Sequence, residues 1–135
     1  MSTRSLIAME TEDGIEAVYC HYDGSPEHHA PILLKHYATD KSLARLINLG
    51  DLSVLGPQIG KKHNFATHNT KATEDWCLAY GRDRGEENVE KHTFVTEAQF
   101  LDHATEVWAD YVYLFRDGKW LYRETRQDKA WRELE

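Results

Sequence analysis

Cysteine is nearly absent from this sequence. Its two, Cys20 and Cys77, form no Cys-x-x-Cys pair, which excludes zinc-ribbon and thioredoxin-like motifs. Positive charge is also short. Sixteen Lys and Arg face 23 Asp and Glu, a net charge of −7. A protein that binds nucleic acid by neutralising phosphates needs the opposite balance, so no direct nucleic-acid binding is expected. The same acidity suits a basic protein surface. No apolar run approaches a membrane span, and Met1–Ser5 leads straight into a strand-like stretch with no signal-peptide core. A cytoplasmic protein with reduced thiols is expected, with no membrane contact. Repeats, low-complexity tracts and linkers are missing too, so residues 1–135 read as one domain.

What is present is an ordinary globular composition. Apolar residues make up 41% and charged residues 29%, enough to bury roughly two-thirds of the unfolded surface and too apolar for a disordered chain. Two strand-like runs, Leu6–Glu10 and Ile15–His21, flank Asp13-Gly14. With those two as the turn, Met9 faces Val18 and Ile7 faces Cys20 on one apolar face. Ser25-Pro26 can open a helix. Pro31 leaves two alternatives, a start near Pro31 or a bent first turn, with Ile32, Leu33, His36 and Tyr37 as its stripe. Asp40 is the expected N-cap of a second helix bearing Leu43, Leu46 and Ile47, and Asp51–Leu55 a short helical turn.

Gln58–Thr73 reads as a long loop, and loops of that length are functional or disordered. Trp76–Tyr80 reads as a strand and Gly81–Glu86 as a charged turn. Thr96-Glu97-Ala98-Gln99 fits a capping box, with Val95 and Phe100 as its hydrophobic staple. The third helix carries Phe100, Leu101, Ala104, Val107 and Trp108. A last hairpin turns at Asp117-Gly118. It pairs Phe115 with Trp120 and Tyr113 with Tyr122, and puts Val112, Leu114 and Leu121 on its other face. The fold class is α+β: an antiparallel sheet of two Asp-Gly hairpins plus a middle strand, with about three helices on one face.

Four clusters could carry chemistry. Cys20 beside His21 resembles a nucleophile and its base, but neighbours on a strand point to opposite faces. His21 and Asp23 share a side, so a carboxylate could orient the imidazole as an acid/base group. Glu27, His28 and His29 follow, without matching a metal-ligand spacing; no metal or cofactor is expected. Arg82, Asp83 and Arg84 lie on one turn, where two guanidiniums could grip an anion, or simply form local ion pairs. Tyr111, Tyr113, Trp120 and Tyr122 form an aromatic face that either packs inward or is exposed as a partner site.

The stretches Met1–Ala8 (MSTRSLIA) and Val18–Gly24 (VYCHYDG), together with Asn48–Ser53 and the turn Tyr80–Gly85 (YGRDRG), resemble a family of small uncharacterised bacteriophage and prophage proteins. Tyr22 stands where that family has Trp, and Pro31 where it has a small residue. The family has no established activity, so the resemblance carries no catalytic residues over. It implies a viral accessory protein in a bacterial cytoplasm. The expectation is therefore a non-enzymatic protein that binds a host or phage protein. The alternatives are a small enzyme for a nucleotide or other phosphorylated ligand, using His21, Asp23, Arg82 and Arg84, and a module that holds a small ligand between the subunits of a homo-oligomer.

Overall fold

The computed structural model describes residues 2–135. Its strands are β1 (Ser5–Thr11), β2 (Gly14–Cys20), β3 (Leu52–Val54), β4 (Leu78–Ala79), β5 (His92–Phe94), β6 (Tyr111–Arg116), β7 (Lys119–Glu124) and β8 (Arg132–Glu133). Its helices are α1 (Pro26–His36), α2 (Asp40–Ile47), α3 (Tyr80–Arg84) and α4 (Glu97–Glu106). The strands form one mixed sheet in the order β4-β3-β2-β1-β6-β7-β8, with β5 also paired to β2. The α+β class holds. The purely antiparallel sheet does not, because β1–β6 and β2–β3 run parallel.

Both faces of the sheet are covered, which corrects the expectation of helices on one face. Ile7, Met9, Val18, Cys20, Tyr113, Phe115 and Trp120 meet Leu33 and Tyr37 of the α1 segment and Leu43, Leu46 and Ile47 of α2. Leu6, Ala8, Ile15, Ala17, Val112 and Leu114 meet Phe100 and Ala104 of α4. The physical reason is visible in β1 and β6. Both alternate two apolar sets rather than an apolar and a polar one, so each face needs a cover.

The second hairpin forms as read, with Asp117 and Gly118 both at positive φ and Phe115 opposite Trp120. The first hairpin is shifted by two residues. Ile7 pairs with Val18 and Thr11 with Gly14, which puts Glu12-Asp13 in the turn. The faces survive because a shift of two preserves strand parity. Gly14 serves another purpose. A Cβ there would run into the carbonyl oxygen of Phe94, so its missing side chain lets β5 approach β2.

Other expectations need correction. α1 starts at Pro26 and passes through Pro31; it buries His29, Ala30 and Leu33 and leaves His36 exposed. Thr39 caps α2, one residue before the expected Asp40. In place of the expected helical turn over Asp51–Leu55, the chain forms β3 at Leu52–Val54, held where His21 and Tyr22 N–H groups donate to Leu52 and Ser53 carbonyls. The strand read at 76–80 joins the sheet at Leu78–Ala79, with Trp76 making an isolated parallel bridge to Gln58, and the charged turn is α3, ended by Gly85 at φ +74. Thr96 caps α4 as expected, but Val95 is 76% exposed and forms no staple.

Candidate functional site

The loop 58–73 is held in place by residues of α3. Asp83 accepts N–H bonds from Ala79 (2.9 Å) and His63 (3.1 Å). Arg82 donates to the carbonyls of Ile59 (2.7 Å) and Cys77 (2.8 Å) and to the Asp83 carboxylate. Burial pushes the Asp83 carboxyl up, but the Arg82 guanidinium and the two N–H groups outweigh it, and its pKa lies below the usual carboxylate value. Further along, Phe65 stacks on Tyr80, and Arg84 lies 4.7 Å over the Phe65 ring.

Held this way, the loop walls a groove at the carboxyl end of β2 and β3. Tyr22, Asp23 and His28 line one side and Phe65, His68 and Glu74 the other, around a cavity of about 670 Å³. That volume lies within the range of small-ligand pockets. Asp23 sits at φ +57, a conformation that aspartate tolerates better than most residues.

Both histidines are backed by a second histidine. His63 Nδ1 lies 2.7 Å from the Lys61 carbonyl, which only accepts, so Nδ1 carries the hydrogen. In the neutral ring, Nε2 then accepts from His68 Nδ1–H at 2.9 Å. His68 is left with a lone pair on Nε2, its one free ring nitrogen. Burial, reinforced by His63 and opposed by Asp83, lowers the His68 pKa.

His28 differs. Its Nδ1 lies 3.0 Å from His29 Nδ1, and His29 Nε2 lies 3.0 Å from Ser5 Oγ. His29 and Ser5 are fully buried. Burial, with His28 adding to it, lowers the His29 pKa to about 3. A neutral His29 has two tautomers, and each fixes the opposite role for the free nitrogen of His28. This groove ring therefore donates or accepts according to the buried one.

The residues proposed from sequence fall in different places. Asp23 lines the groove; His21 does not. His21 Nδ1 shares a 2.8 Å hydrogen bond with Tyr19 OH, and burial followed by Arg4 lowers its pKa. The Arg82 guanidinium is occupied by internal acceptors, Asp83 is its buried counter-charge, and Arg84 is paired with Glu86 at 2.6 Å. Asp23 lines the groove and Arg84 a separate hollow beside His63 and Phe65, and neither cavity includes His21 or Arg82. Tyr113 and Trp120 are core residues, 0% and 2% exposed, which removes them as a surface patch; Tyr111 and Tyr122 are partly covered. Cys20 is fully buried, and burial pushes its thiol up to about 12, which opposes the thiolate a nucleophile needs.

Sequence reasoning did not single out His63 or His68, and it named His29 only beside Glu27 and His28 as a weak metal-binding group, not as a buried ring. His63 and His68 lie in a loop with no periodicity to reveal what they face. The usable signal was the density of hydrogen-bonding side chains between Lys61 and Asp75. Comparison with family models, curated proteins and solved structures gives no match.

Proposed function

We propose that the protein is a non-enzymatic accessory factor that binds a protein partner, and that the groove receives a basic side chain of that partner. One observation carries this reading. The groove presents the exposed carboxylates of Asp23 and Glu74 beside the exposed ring of Tyr22 and, among the described residues, no lysine or arginine lines it; the Phe65 ring on the far wall already carries Arg84 and Tyr80. Carboxylates with aromatic faces recognise guanidinium and ammonium groups. The net charge of −7 steers a basic partner toward the molecule. The phage resemblance supplies a setting in which that partner is a host protein. The phosphorylated-ligand alternative loses support at His21, Asp23, Arg82 and Arg84, because Arg82 is already saturated by internal acceptors.

Calorimetry with a short arginine-containing peptide and its glutamine counterpart tests this. The arginine peptide binds the wild type, and Asp23→Asn with Glu74→Gln weakens it tenfold or more. Equal binding of both peptides, or no binding by either, would sink the reading.

A further inference from the structure

The end of α4 carries an anomaly. Ala109 N–H bonds to Ala104 carbonyl (3.0 Å) and Trp108 N–H to Thr105 carbonyl (3.2 Å). These are the two bonds of a Schellman end, whose left-handed position glycine normally fills. Here that position is Trp108, at φ +60. A bulky side chain is disfavoured there, and packing does not compensate. Trp108 is 65% exposed and belongs to neither core cluster.

The ring is nevertheless held. The Arg126 guanidinium lies 5.2 Å from its centroid. Arg126 in turn reaches Asp110 Oδ1 (3.4 Å), and Asp110 Oδ2 accepts the Arg4 N–H (3.1 Å). A cavity of about 950 Å³ opens beside the ring, lined by Ser2, Thr3, Arg4, Trp108, Tyr111 and Glu124 among others. Among the described residues, the Arg4 side chain has no ion pair or hydrogen bond, whereas Arg126 is matched by Asp110.

We infer that this cavity binds a nucleoside monophosphate, with the base stacked on Trp108, the phosphate at Arg4 and the ribose hydroxyls toward Glu124. An exposed indole held by a cation on one side is a stacking platform for any base. Among the described residues that line the cavity, Arg4 is the one unmatched cation, and the Ser2 and Thr3 hydroxyls beside it are further phosphate donors. Glu124 repels a phosphate but accepts hydrogen bonds from a diol, which sets the direction of the ligand. The site shares no residue with the groove of Asp23 and Glu74, so either can fail alone.

The test follows the Trp108 indole N–H resonance by NMR, assigned with Trp108→Gly, during titration with AMP, GMP, CMP and UMP. Inorganic phosphate and ribose 5-phosphate serve as controls. The mononucleotides shift the resonance, purines at lower concentration than pyrimidines, and the two controls do not. Arg4→Gln raises the midpoint tenfold or more. Trp108→Gly, followed instead at the Thr3, Tyr111 and Glu124 backbone amides that line the cavity, abolishes binding while keeping or raising the melting temperature, since glycine suits the position. No shift at millimolar mononucleotide overturns the inference. So do an equal response to phosphate alone and full binding by Trp108→Gly.

Discussion

His29 stands between Ser5 and His28 with no exposed surface, and burial makes it a neutral ring. Its folded pKa of about 3 lies below the ordinary histidine value. Between those values the unfolded chain binds a proton that the folded chain refuses. Stability from this residue is complete above the unfolded pKa and is lost as pH falls toward the folded one, by up to about 1.4 kcal/mol per unit. Urea denaturation of wild type and His29→Asn between pH 4 and 7 checks this, and the wild type has the steeper acid dependence. His68 makes a sharper case. Its neutral tautomer carries the hydrogen on Nδ1, so ¹⁵N chemical shifts place the lone pair on Nε2. Replacing His63 with Ala removes the acceptor and mixes the tautomers. Neither histidine announced itself. The pair His28-His29 was visible as adjacent letters, but which ring would be buried depended on the phase of α1, and Pro31 obscured that phase.

Among the elements, α3 contributes most beyond its length. Its five residues include Arg82 and Asp83, which fix the loop from Ile59 to His63. Asp83→Asn leaves the Arg82 guanidinium poorly matched in a largely buried place. The expected cost is about 2–4 kcal/mol, with early loss of amide protection in residues 59–68 in hydrogen exchange. At β2, Gly14→Ala forces the Phe94 carbonyl aside and detaches β5. The expected cost is about 2 kcal/mol or more, with the β5 amides most affected. The second hairpin was legible because Asp117-Gly118 supplies two residues that accept positive φ. The first was legible only in its faces. Asp13-Gly14 looked like the same signal, but Gly14 was needed for clearance against Phe94, and the turn moved to Glu12-Asp13.

For the whole molecule, the sheet is closed on both faces, and the tail completes the cover. Leu134 is 4% exposed in the core that holds Trp120 and Tyr37, and its N–H bonds to the Trp120 carbonyl. Leu134→Ala therefore costs about 2–4 kcal/mol by thermal or urea denaturation, whereas Leu34→Ala, at a side chain 37% exposed, costs under about 1 kcal/mol. The class and most element positions could be read from periodicity and turn chemistry. The parallel pairing of β1 with β6 and the gathering of Tyr22, His28, His68 and Glu74 could not, because they join segments up to 106 residues apart with no local pattern linking them.

The proposed meeting point with a basic partner is the groove between the Tyr22–His28 segment and the 58–73 loop. The most direct measurement is a two-dimensional amide NMR titration with the arginine peptide. Binding in the groove gives shifts clustered at Tyr22, Asp23, Phe65, His68 and Glu74, fading as salt rises. Shifts spread over the acidic surface at large, or confined to residues away from these two segments, would contradict it.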